Sequence, residues 1–126
     1  MLIYGFCDFI IESLQMANQV QLYHWRCERD AEHKHWNNIY DIIREFADRA
    51  AEAVLGQGVP FEFTDKTFLV NCEVYSFVGA INKVRIYKNT INEYASTFGG
   101  QAGIANILGD TAEKLDKEIG LLCAFK

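Results

Sequence analysis

The stretch EHKHWNNIYDIIREFADRAAEAVLGQGVP, residues 32–60, decides the fold because it contains a strongly periodic helix and the signals that end it. Its apolar residues step by three and four along one face, which is the period of a helix that packs on a core. These residues are Trp36, Ile39, Ile43, Phe46, Ala50 and Val54. Gly56, Gly58 and Pro60 follow, and both residue types are typical of helix ends. The stretch therefore predicts a helix over 32–55, here called helix two.

Three other segments have the same helical period. They predict helix one over 3–25, helix three over 72–97 and helix four over 101–124. The apolar positions expected on the core side of helix three are Val74, Phe77, Val78, Ile81, Val84, Ile91 and Tyr94. Four helices of similar length, with no strong strand signal, predict an all-α four-helix bundle. At 126 residues the chain suits one domain, 1–126.

The connection between helices two and three, residues 56–70, selects one version of this bundle. Its β-prone residues are too few and too isolated to form a sheet. Fully extended, the connection could span about 45 Å, which exceeds the length of a bundle. It can therefore carry the chain from one end to the other and make helices two and three parallel. Such a long crossover between helices two and three is typical of the ferritin-like four-helix bundle.

Charge and hydropathy exclude two classes of partner. The formal net charge is −5, and neither end of the chain has a run of lysine or arginine, so a nucleic acid is not an expected partner. A membrane span needs about eighteen uninterrupted apolar residues, and no segment contains them. No membrane association is therefore predicted.

The cysteines and the first residues both favour a cytoplasmic protein. Cys7, Cys27, Cys72 and Cys123 have neither zinc-ligand spacing nor the density of a disulfide framework, so we expect them reduced and mostly buried. The apolar N-terminal stretch lacks the basic residues of a signal peptide. Asp8 and Glu12 also interrupt it.

Three histidines, His24, His33 and His35, fall within twelve residues around the junction of helices one and two. The di-iron centre inside such bundles uses two Glu-x-x-His motifs on different helices. This chain has one match, Glu32 to His35, so that internal centre is not expected. We expect His35 to be exposed.

Four polar residues of helix two form a stripe beside its apolar face. They are His33, Asn37, Asp48 and Glu52, which fall within roughly a quarter-turn of one another. His33 and Asp48 are nevertheless separated by about 22 Å of helix. One subunit cannot bring both side chains onto one metal ion.

A second subunit can supply the missing side chains. If two copies of helix two pack antiparallel about a two-fold axis, facing residue numbers have a constant sum. That sum is 85 for His33 with Glu52 and for Asn37 with Asp48. His24 could complete the nitrogen donors. Imidazole and carboxylate ligands suit ferrous iron or another borderline divalent ion. The pattern predicts a homo-oligomer formed through helix two, with two shared metal sites.

At these residues the sequence resembles the Dps family of ferritin-like mini-ferritins. YHW at 23–25 resembles the family's His-Trp element at the end of the first helix. The segment from AEH at 31–33 through DRAAE at 48–52 resembles its ligand-bearing second helix. IANIL at 104–108 through LDK at 115–117 resembles its last helix. The resemblance covers most of the chain.

The resemblance implies an iron-binding mini-ferritin with ferroxidase activity. Such proteins bind ferrous iron at two-fold interfaces, oxidise it with peroxide or oxygen, and store ferric mineral in a hollow shell. Asn37 stands where the family has an aspartate, and Asp41, Glu28 and Glu32 are alternative acids nearby. The alternative interpretation is a ferritin-like structural or interaction protein that has lost ferroxidase activity.

Overall fold

The computed structural model describes residues 2–58, 61, 65–72 and 74–124. These described residues form four helices: α1 (Leu2–Arg26), α2 (Asp30–Gly56), α3 (Phe77–Thr97) and α4 (Ala102–Ala124). The described residues contain no strand, which confirms the all-α prediction. Pro60 lies outside the described residues.

The core lies between the four helices and is built from their apolar faces. All six apolar residues predicted for helix two are buried, from Trp36 to Val54. Phe6, Val20, Leu108 and Leu115 bring α1 and α4 into the same cluster. Full burial of a side chain of this size contributes about 1.5–3 kcal/mol. The helical period of the sequence therefore identifies the faces that hold the bundle together.

The helices pack pairwise around this core. Close backbone contacts join α1 with α2, α2 with α4, α3 with α4, and α1 with α3. Polar contacts show the relative direction of the two helices in two of these pairs. Tyr87 and Tyr94 on α3 donate to Ser13 and to the carbonyl of Gly5 on α1, so these two helices are antiparallel.

The pair formed by α2 and α4 is also antiparallel. Asn38, near the start of α2, donates to Glu118, near the end of α4. Arg49, further along α2, forms an ion pair with Asp110 at 3.2 Å. Lys114 also binds Asp110, and the lysine and the arginine together lower the pKa of that carboxyl group.

Helix three begins later than the sequence predicts. It starts at Phe77 rather than at residue 72, because Ser76 takes the N-cap position and its hydroxyl accepts from the Gly79 amide at 3.2 Å. The residues before it lie alongside α1, where Gln19 bonds both backbone groups of Asn71. These side-chain bonds satisfy the extended backbone and compete with a helix there.

Two predicted core positions of helix three are also wrong. Val74 is 89% exposed because it precedes the helix, and Val78 is 64% exposed on the first turn. The expectation of mostly buried cysteines fails as well. Cys7 is buried, but Cys27 is half-buried, and Cys72 and Cys123 are exposed.

Among the described helices, none combines the length and the apolar content that a bilayer crossing demands.

Candidate metal centre

His24, at the end of α1, and His33, in the first turns of α2, lie face to face. Their ring centroids are 3.6 Å apart and the ring planes are inclined by 27°. Each ring also bonds the other residue's backbone. The Nδ1 of His24 lies 2.7 Å from the His33 carbonyl oxygen, and the Nδ1 of His33 lies 2.8 Å from the His24 carbonyl oxygen. Two predicted ligands are thus held together within one chain.

These reciprocal bonds fix the form of both imidazoles. A carbonyl oxygen has no proton to give, so each Nδ1 must carry the hydrogen and donate it. In a neutral ring the lone pair then resides on Nε2. Metal-binding histidines commonly have this arrangement, with the second ring nitrogen donating to a carbonyl or a carboxylate. In the neutral state both rings therefore have an unprotonated Nε2, which is the atom through which a histidine of this tautomer can bind a metal ion.

Aromatic packing beneath the two histidines holds the ends of α1 and α2 in register. Tyr23 packs against the fully buried Trp36 with ring centroids 5.2 Å apart. The Trp36 indole donates to the Tyr75 hydroxyl at 3.1 Å. Burial raises the pKa of Tyr75 to about 12, with the bond from Trp36 acting against the rise and the nearby Glu32 carboxylate adding to it. Tyr75 therefore remains a neutral phenol at physiological pH.

Cys27 adjoins the histidine pair but is poorly suited to bind metal as a thiolate. Its thiol lies 3.4 Å from the His24 carbonyl oxygen, to which it donates. Burial, and secondarily the charge of Glu32, raises the pKa of Cys27. A raised pKa favours the protonated thiol, whereas metal binding requires the thiolate.

Asn37 lies one helical turn from His33, whereas Asp48 and Glu52 lie far from the histidine pair. Asn37, Asp48 and Glu52 are all exposed on α2. Asp48 and Glu52 lie four to five turns further along the helix, about 22–28 Å from His33. Within the part of the chain that the structure describes, no group of three or more His, Cys, Asp and Glu side chains could hold a metal ion. One chain presents the ligands as two separated half-sites on one helix face.

The alternative acids differ in their surroundings. Asp41 is exposed on α2, between the two half-sites. Glu28 is exposed, in a polar groove that it shares with Arg29 and Glu32. Glu32 itself is only 5% exposed. Asp41 is thus the acid among these three that continues the exposed stripe.

The prediction that His35 is exposed is wrong, because the side chain is buried. Its Nδ1 lies 3.2 Å from a carboxylate oxygen of Glu118 on α4, and both residues are 7% exposed. Asn38 donates to the same carboxylate at 2.6 Å. The sequence holds a signal for this cluster, since Glu118 falls on the apolar face between Leu115 and Leu122. An acid at such a position requires a buried partner.

The fold and these side chains together define an all-α four-helix protein that presents a histidine pair and a polar stripe on α2. Comparison of the chain with known protein families, with curated proteins and with solved structures finds no match.

Proposed function

We propose that this protein binds ferrous iron at sites shared between two subunits, oxidises it with peroxide or oxygen, and stores it in an oligomeric shell. The observation that carries the proposal is the reciprocal bonding of His24 and His33, which leaves both Nε2 atoms available to a metal ion. In the proposed site Asn37 completes one half, and Asp48 and Glu52 of a second copy complete the other. Other divalent ions would compete for the same ligands.

We also propose the ferritin-like topology, with a long crossover between α2 and α3. Aromatic contacts pair Phe9 with Phe46 and Tyr23 with Trp36, so α2 is antiparallel to α1. Because α3 is also antiparallel to α1, these directions support a parallel placement of α2 and α3. Side-chain contacts along α1 support the crossover. Lys66 pairs with Asp8 near the start of α1, and the carbonyl of Cys72 accepts from Arg26 at its end.

The proposed reaction is an electron transfer from iron to the oxidant. Two ferrous ions give one electron each to one peroxide, which takes up two protons and leaves as two waters. The imidazoles and carboxylates hold the iron and stay unchanged. The carboxylates stabilise the higher charge of the ferric product, while Asn37 contributes a neutral amide oxygen. Ferric iron then passes to the mineral.

The proposal is tested by the rate of ferrous oxidation. Apo-protein is loaded anaerobically with ferrous iron and mixed with peroxide, and ferric absorbance is followed against buffer. We expect oxidation faster than in buffer, lost in His33→Ala and in Glu52→Ala. Glu113→Ala, which removes an exposed acid from α4, serves as the matched control and should keep the rate. A wild-type rate equal to that of buffer would refute the function.

A second candidate is a ferritin-like structural or interaction protein without metal chemistry. The same histidine pair favours it, because two reciprocal bonds and a ring stack also connect α1 to α2 with no metal present. The two candidates differ in one measurable respect. Under the structural function, ferrous iron or zinc leaves the melting temperature unchanged. Under the iron-binding function, either ion raises it, because a ligand that binds only the native state stabilises that state.

A further inference from the structure

We propose that the exposed stripe of α2 is a self-complementary docking surface for a second copy of this chain, with ion pairs between Asp41 of one copy and Arg44 of the other setting its register. This inference rests on the shared-site arrangement of the proposed function. It goes further by naming the contact that joins the two copies before any metal binds.

The stripe is complementary to itself under an antiparallel two-fold packing. Six exposed residues lie within roughly 100° of the helix circumference. The register in which facing numbers sum to 85 pairs them as His33 with Glu52, Asn37 with Asp48, and Asp41 with Arg44. Asn37 with Asp48 joins a hydrogen-bond donor with an acceptor, and Asp41 with Arg44 joins an anion with a cation, whereas His33 with Glu52 brings together two metal ligands. The two-fold generates each pair twice.

Neighbouring registers lose this complementarity. Sliding one copy by one helical turn in one direction places Asp41 opposite Asp48, so that two carboxylates face each other. Sliding it the other way places Arg44 opposite Asn37 and removes the ion pair. Like charges across an interface cost several kcal/mol and select against the wrong alignment. The sum of 85 is therefore the register that the charges favour.

Asp41 and Arg44 are both available for this contact. Each is exposed, and neither forms an ion pair with another described residue. The Arg44 guanidinium lies over the Tyr40 ring, 5.9 Å from its centroid, which holds it on the stripe. Both residues lie within about 2 Å, measured along the helix, of the proposed axis. The two symmetry-related ion pairs would therefore lie at the centre of the interface.

An apolar groove adjoins the charged stripe. It lies between α1 and α2, has a volume of about 240 Å³, and contains Arg44 and Asp48 among its lining residues. Its apolar walls include Ile11, Leu14 and Ala51, and Leu14 is 39% exposed. Protein interfaces combine apolar area with hydrogen bonds and charged contacts. The groove supplies apolar area beside the ion pairs.

Charge reversal tests the contact without iron. Sedimentation velocity over a range of concentrations, in the presence of a chelator, measures self-association. Asp41→Arg and Arg44→Asp should each weaken it by about tenfold or more, since each places two like-charged pairs near the axis. The double variant D41R/R44D should restore it. Glu113→Arg on α4 and Lys83→Asp on α3 make the same charge changes at exposed positions away from the stripe and should leave it unchanged.

Mixing the two single variants tests whether the pair joins different subunits. In a mixed dimer both facing pairs become oppositely charged again, so the mixture should associate as tightly as wild type. If self-association is restored in the double variant but not in the mixture, residues 41 and 44 interact within one chain. That result would overturn the proposal. A wild-type chain that stays monomeric, or single variants that associate like the two control variants, would also overturn it. If the dimer passes these tests but does not oxidise iron, the proposed function is wrong and the proposed interface is retained.

Discussion

At the residue scale, the reciprocal hydrogen bonds of His24 and His33 have two consequences. They connect the end of α1 to the start of α2, and they place the protons of both rings on Nδ1. Asn37 adds an amide where a carboxylate would add a negative charge. In the proposed site, the negative charge that holds iron therefore comes from Asp48 and Glu52 of a second copy.

The ring protons can be observed directly. In ¹⁵N-labelled apo-protein at a pH where the rings are neutral, we expect long-range nitrogen–proton spectra to show His24 and His33 protonated on Nδ1. Zinc, as a redox-inert probe, should then shift the Nε2 resonances of both rings. Protonation on Nε2 in the apo-protein would contradict the proposed ligand geometry.

The buried pair of His35 and Glu118 predicts a non-additive effect on stability. Glu118→Leu removes the carboxylate to which His35 and Asn38 donate, and the loss of a buried hydrogen-bond acceptor costs about 1–3 kcal/mol. Replacing both members, in His35→Leu with Glu118→Leu, should cost less than the single change, because no buried imidazole remains without its partner. Urea unfolding measures both.

The exposed neighbour Lys117 provides the control for this pair. Lys117→Ala should change the free energy of unfolding by less than about 0.5 kcal/mol. A Glu118→Leu variant as stable as wild type would mean that the carboxylate contributes nothing to the packing of α2 against α4.

The raised pKa of Tyr75 predicts that the folded protein loses stability at alkaline pH. Its pKa in the folded protein is raised to about 12, above the ordinary value of 10.0. Its contribution is therefore fully present below pH 10 and is lost as the pH rises towards 12, because the unfolded chain ionises first. The free energy of unfolding should fall less steeply over this range in Tyr75→Phe. Equal slopes for the two proteins would contradict the assignment.

At the element scale, the start of α3 depends on one side chain. Ser76 Oγ accepts from the Gly79 amide, and an N-cap of this kind contributes about 1 kcal/mol. Ser76→Ala should lower the free energy of unfolding by that amount, while Ser76→Asp should preserve it, as urea unfolding can measure. Ser96→Ala, at an exposed serine near the end of the same helix, is the control and should have little effect.

The elements also mark how far the sequence could predict the structure. The helical period identified the core face of α2 residue by residue, because burial of Trp36 through Val54 follows from spacing alone. It placed the start of helix three too early, because Val74 fits the apolar period but precedes the helix, and Ser76 just before the helix has an extended backbone. The stripe on α2 was visible in the sequence, but the stacking of His24 on His33 depends on the turn between two helices. Spacing carries no information about that turn.

At the scale of the whole molecule, the proposed function requires two chains. In this proposal one chain holds half of each site at opposite ends of the stripe on α2, and a two-fold axis would bring the halves together. The charged pairs near the axis and the apolar groove beside them are the contacts that we propose for the association of the copies. The iron ligands can then vary without loss of the dimer.

The central claim is that each site is shared, and complementation between inactive variants tests it most directly. His33→Ala and Glu52→Ala are dissociated, mixed in equal amounts, reassociated and assayed for ferrous oxidation. Each variant alone lacks one ligand in both sites, whereas a mixed dimer has one site lacking both ligands and one intact site. Half of the dimers are mixed after random association, so the mixture should recover about a quarter of the wild-type rate. A mixture that contains mixed dimers by mass analysis yet oxidises iron no faster than buffer would contradict the account.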